Sequence, residues 1–305
     1  YSPFIPGSSS FKVAAGSYIF VGGGNLNISS YSANSTVIGG VGGASWYGIY
    51  AAKGSDIVID GSTSRKVYLD DAAGTSTRAC IHHLGADSSD NYGKLQVKGA
   101  RFSDCSNIGV YLAGEGFYSV SPYTYTYMSA PISVEYSYFN GAKSGVMVEN
   151  LTVNTGDLNL NLNHNSVLNY GSNASSSSHA IYLRNISISG IPYVQFNTIQ
   201  GADMTGGSPY TTIYGIYLYN IIYGSGDQIN IFQNTISDGV RNGMYLSDFW
   251  ARADALGHNR CYLYLDNNTI DGAVRYGIFV DRSTTGAGYC DDSGDDDILD
   301  ITNNT

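Results

Sequence analysis

Acid–base cleavage of a glycosidic bond needs two carboxylates facing each other, and this chain has few to offer. Its Glu residues are Glu115, Glu135 and Glu149 alone. Two groupings could still act if neighbouring segments stack: Glu149 with Arg184, and Asp248 with Asp281 and Arg282. Outward-facing Asp248 and Asp281 would approach the roughly 5 Å separation of a retaining pair. Both also fall where turns are expected, and Asp is a good turn residue; the doublet Asp70–Asp71 has the same explanation. A denser acidic run holds Asp291, Asp292, Asp295, Asp296 and Asp297. Calcium is the cation such a run could gather, but the ordered spacing of a calcium loop is missing and a solvated loop is the plainer reading. His82 and His83 are adjacent, so on a strand they face opposite ways and do not share a ligand. Phosphate-loop, dinucleotide and serine-elbow patterns are absent, so no cofactor other than calcium is expected.

Composition narrows the class further. The 305 residues carry a net charge of −10 with only 15 Lys and Arg. Nucleic acid and anionic membranes need a basic footprint, so neither is an expected partner. No apolar run is long enough to insert in a membrane. Cys80, Cys105, Cys261 and Cys290 lack metal spacing and form two sequence-local pairs, which reads as disulfides Cys80–Cys105 and Cys261–Cys290 in an oxidising compartment, with buried thiols as the alternative. Glycosylation acceptor sequences at Asn27, Asn34, Asn150, Asn173, Asn185, Asn267 and Asn303 lean the same way, towards an extracellular or cell-surface location, with a virion surface as a lesser option.

The elements that must position these groups are set by a repeat. A small residue, an apolar one, a variable one and another apolar one recur about every 33 residues. Copies include Gly109-Val110-Tyr111-Leu112, Gly145-Val146-Met147-Val148, Ala180-Ile181-Tyr182-Leu183 and Gly243-Met244-Tyr245-Leu246. The copy near Ala79-Cys80-Ile81-His82 is ambiguous in register. A second phrase follows each copy: alternating apolar residues, then Asn-x-Ile or a variant, as in Asn234-Thr235-Ile236 and Asn268-Thr269-Ile270. Period-two alternation punctuated by Gly and Asn predicts about three short strands per repeat. One repeat cannot bury its own apolar face, so neighbours must stack into a solenoid.

These recurrent phrases, over roughly residues 45–305, make the chain resemble the right-handed parallel β-helices of the pectate-lyase-like superfamily. The resemblance implies one continuous all-β domain over 45–305; residues 1–44, rich in Gly and Ser with short alternating pieces, read as irregular coils before it. The resemblance also implies that any lyase activity would use calcium held by acids together with a basic residue that removes a proton.

Stacking converts repeats into columns. Asn165, Asn197, Asn234, Asn268 and Asn304 share one corner, where Asn would tolerate a left-handed backbone and bond to the next amide. Asn150, Asn185 and Asn220 form a second turn column, broken at Asp248 and Arg282. The variable position must point outward, placing Tyr50, Tyr111, Met147, Tyr182, Tyr217, Tyr245 and Phe279 in a ladder with steps of about 4.8 Å. That ladder is either a strand-forming cap on the sheet or a flat aromatic surface for sugar rings or a neighbouring chain. Tyr1 follows no leader, which reads as a processed chain or a fragment, and Thr305 stops within a coil, so either the chain is a piece of a longer one or its open edges pair head to tail with those of another subunit. The expected function is a non-catalytic extracellular structural or surface protein that self-associates, as a filament or sheath subunit. A polysaccharide lyase, a glycoside hydrolase and a carbohydrate-binding adhesin are the alternatives.

Overall fold

The computed structural model describes residues 9–30, 35–72, 79–85, 93–103, 105–113, 126–127, 132–153, 160–171, 177–188, 192–202, 213–223, 228–251, 262–281 and 298–305. These residues form a parallel β-helix with about 34 residues per turn. Each coil gives one strand to sheet A, one to sheet B and one to sheet C, in that order. Nine strands stack in register along each sheet among the described residues. Strands from Ser9 onward already join these sheets, so the described residues 9–30 and 35–44, irregular in sequence, contribute regularly paired strands. The helical content among the described residues is a single 3-10 turn, Val41–Gly43.

Alternation along each strand sends one set of side chains into a shared column between the sheets. Ile57 and Ile59, Leu95 and Val97, and Leu263 and Leu265 enter it from sheet C. Phe102 and Phe139 enter from sheet A, with ring centroids 4.5 Å apart and planes within 8°. The small residue opening each repeat has a steric cause. A Cβ on Gly243 would lie 2.6 Å from the Gly277 carbonyl of the next coil and 2.5 Å from Ile270 Cγ2. A larger side chain would force the coils apart.

The corner from sheet C to sheet A departs from the expected division of labour. The left-handed residue is the one before each column Asn: His164, Phe196, Gln233, Asn267 and Asn303, with φ of 52–55°. The column Asn itself is a hydrogen-bonding rung instead. Nδ2 of Asn165, Asn197, Asn234 and Asn268 donates to Oδ1 of the next column Asn at 2.9–3.1 Å. Each also donates to a strand carbonyl, such as Val194 O from Asn234 at 2.9 Å. The left-handed φ, unfavourable for Phe196 or Gln233, is offset by this fixed network. In the second column the Asn itself is left-handed, with φ of 52°, 51° and 54° at Asn150, Asn185 and Asn220, each inside a continuous strand and not at the turn expected.

Cys80 and Cys105 form a disulfide with Cα atoms 6.2 Å apart, joining a sheet B strand to the turn after sheet A. Cys261 and Cys290 lie outside the described residues. Closing a 25-residue span stabilises the chain by about 3 kcal/mol in the loop-entropy account. Cys105→Ser is therefore expected to lower the urea midpoint accordingly. Alkylation before reduction should leave Cys80 and Cys105 unlabelled; label on either would refute the bridge in solution.

Candidate functional site on the outer face of sheet B

The outward column of sheet B is longer than the sequence phrases suggest. Parallel register aligns Phe20, Tyr50, His82, Tyr111, Met147, Tyr182, Tyr217, Tyr245 and Phe279. His82 thus fills the copy whose register was ambiguous. Its neighbour His83 faces away, with Nε2 donating to Ser55 O at 2.8 Å and Nδ1 accepting from Gly85 N–H at 2.8 Å.

Ring geometry decides what this column offers. Tyr182 and Tyr217 stack at 5.1 Å, Tyr217 and Tyr245 at 5.2 Å, and Tyr245 and Phe279 at 4.8 Å, with interplanar angles of 5–17°. Rings stacked along the axis spend their faces on one another and turn edges and hydroxyls outward. A sugar ring packing on aromatics needs an open face, so these stacked rings do not form the flat platform that the sequence had suggested. His179 closes the face further, its ring 4.5 Å from Tyr182 and stacked on Tyr214 at 5.0 Å.

Two positions further along each strand runs a polar column: Glu149, Arg184, Tyr219, Ser247 and Asp281. Glu149 and Arg184 are direct register partners, as the sequence grouping required. Glu149 is 6% exposed, and its carboxylate accepts from the Tyr111 hydroxyl at 2.9 Å. Tyr182 hydrogen-bonds both Glu149 and Arg184, and the Arg184 guanidinium lies 5.8 Å from the Tyr219 ring centroid. Burial, then the charge of Glu149, pushes the Tyr182 phenol well above its usual range. Burial and the neighbouring Tyr214 and Tyr245 push Tyr217 up to about 12. Both therefore remain phenols at neutral pH, able to donate and accept hydrogen bonds but poor proton acceptors.

The second sequence grouping is not assembled in the same way. Asp281 pairs in register with Ser247, and Asp248 follows one residue later, at the position of Asn220 in the preceding coil. The Asp248 side chain, Arg282, and the run Asp291, Asp292, Asp295, Asp296 and Asp297 lie outside what the structure describes. Among the acceptor sequences, Asn27, Asn267 and Asn303 are exposed. Asn185 Nδ2 donates to Asn150 Oδ1 at 2.7 Å, and Asn34 and Asn173 lie outside the described residues. Sequence reasoning missed Tyr111 and Tyr182 as partners of Glu149, although their places in the repeat carried the signal. His179 had none, because its column is occupied by Ser144, Tyr214 and Asn242 in the other coils.

Comparison with protein-family models, with curated proteins and with solved structures finds no match to this chain.

Proposed function

We propose that the chain is a non-catalytic structural or surface protein of an extracellular setting, whose sheet B face is a rigid contact surface. The observation that carries this reading is the closure of the Glu149 cluster. Its carboxylate is covered, bonded to Tyr111 and Tyr182, and paired in register with Arg184. A group held this way fixes neighbouring coils to one another and has no open side for a scissile bond. The resemblance to pectate-lyase-like solenoids fits the same architecture, and self-association of the sheets belongs to the proposal.

The test is a product assay on the purified chain against neutral and acidic polysaccharides, with and without calcium. No reducing ends or unsaturated products are expected. Glu149→Gln should lower the melting temperature through its orphaned Tyr111 and Arg184 contacts. Turnover by the unaltered chain that disappears in Glu149→Gln or Asp281→Asn would establish an enzyme instead.

A further inference from the structure

We propose that Arg65 and Arg101, on the outer face of sheet A, form a binding site for a sulfate ester carried on a glycan lying along the solenoid axis. The site is separate from the sheet B face, and the proposal goes beyond the structural role given to that face.

Register places Arg101 between Tyr68 of the preceding coil and Tyr138 of the following one. Its guanidinium carbon lies 5.4 Å from the Tyr68 ring centroid and 5.0 Å from that of Tyr138. The Arg65 guanidinium lies 5.8 Å from the same Tyr138 ring. Two cations thus share one aromatic ring, in a chain whose net charge is −10. Among the described residues no carboxylate forms an ion pair with either of them.

Arg65 is anchored, which fixes the geometry before any ligand arrives. Nε donates to Tyr136 O at 2.9 Å, and Nη2 donates to Ser166 Oγ at 2.9 Å and His164 O at 3.3 Å. These bonds use one edge of the fork and leave the N–H groups of Nη1 without an acceptor among the described residues. Arg101 has ring contacts but no hydrogen-bond acceptor there. Burial and the neighbouring Arg101 both push the Arg65 pKa down, the mark of like charges held together. An oxyanion between them would relieve that repulsion and complete both forks.

The neighbourhood selects the ligand. A carboxylate has two oxygens in one plane, which a single arginine fork can satisfy. Two forks from different elements suit a tetrahedral group with oxygens on several sides. The outward column continues past Tyr138 as Ser166, Thr198, Thr235 and Thr269, one hydroxyl per coil at spacings of about 4.8 Å. Thr198, Thr235 and Thr269 are exposed. A row of hydroxyls leading away from a cationic end fits a polyhydroxylated chain better than a free ion.

The decisive measurement is equilibrium binding of fluorescent dextran sulfate, dextran and polygalacturonate to the full chain at moderate ionic strength. Dextran sulfate should bind at least tenfold tighter than either other polymer, and sodium sulfate should compete better than sodium chloride at equal ionic strength. Arg101→Gln should weaken dextran sulfate binding at least tenfold, with its circular dichroism unchanged. Lys94→Gln, on sheet C, makes the same charge change and should leave binding within twofold. Arg101→Lys, which keeps the charge but loses the fork, should fall between them. Equal binding of polygalacturonate would overturn the sulfate assignment. Equal losses in Arg101→Gln and Lys94→Gln, or no preference for dextran sulfate over dextran, would overturn the site.

Discussion

Asn234→Leu is expected to lower the stability of the solenoid by about 4 kcal/mol, because leucine keeps the branching at Cγ but carries no polar atom. Asn234 is fully buried and uses its whole amide. Its Oδ1 accepts from the Asn197 backbone N–H at 3.1 Å and from Asn197 Nδ2 at 2.9 Å. Its Nδ2 donates to Val194 O and to Asn268 Oδ1, both at 2.9 Å. Leucine removes every one of these bonds and supplies no water in their place. Each buried group left without a partner costs roughly 1–3 kcal/mol, and the most exacting is the Asn197 N–H, which has no second acceptor. As a control, Gln200→Ala removes an exposed side-chain bond to Asp238 at 3.2 Å and should change stability by no more than about 0.5 kcal/mol. Urea midpoints of the two variants give the comparison. If Asn234→Leu unfolds at the same midpoint as Gln200→Ala, the asparagine column is ornament to the corner and not its support.

Acid should loosen the protein well before its carboxylates are protonated. Burial lowers the His83 pKa to about 4 and, with Lys143 nearby, lowers that of His179 to about 3. Both start from an ordinary value of 6.5. Above that value the rings are neutral in folded and unfolded chains alike. As pH falls below it, the unfolded chain takes up protons that the folded chain refuses, so stability drops with falling pH. The contribution is complete above pH 6.5 and is lost as the pH approaches the folded values. By pH 4 each ring costs roughly 3 kcal/mol, since every tenfold difference in proton affinity is worth about 1.4 kcal/mol. The slope of stability against pH between 7 and 4 is the readout. In the double variant His83→Gln, His179→Gln that slope should flatten, whatever the variant's absolute stability. An unchanged slope would place the acid sensitivity elsewhere.

Periodicity carried most of the architecture. The repeat of Gly109-Val110-Tyr111-Leu112 and its relatives, followed by Asn-Thr-Ile, was enough to read stacked parallel strands and the columns they create. What it could not reveal were relations between columns. Whether the residue before Asn234 or Asn234 itself turns left-handed depends on which amide meets which carbonyl in space. Whether Tyr217 shows a face or an edge depends on ring torsions that spacing does not encode. Arg65 belongs to no phrase at all. Its partners Tyr136, His164 and Ser166 lie 71, 99 and 101 residues away, beyond the reach of any local pattern. Glu149 with Arg184 was legible because both occupy the same step of the repeat. Asp248 with Asp281 was displaced by one residue because the register pairs Asp281 with Ser247.

The two asparagine columns also give the solenoid an electrical direction. In the longer one, from Asn165 to Asn304, each side-chain N–H points towards the following coil. In the shorter one the sense is reversed, since Asn220 donates to Asn185 and Asn185 to Asn150. Aligned amide dipoles add, as they do along a helix, so the rows form opposed macroscopic dipoles on two edges of the same body. Over the coils that hold both rows their fields partly cancel. The longer row runs on to Asn304, beyond the end of the shorter row at Asn220, leaving the later coils more positive along the asparagine edge than the earlier ones.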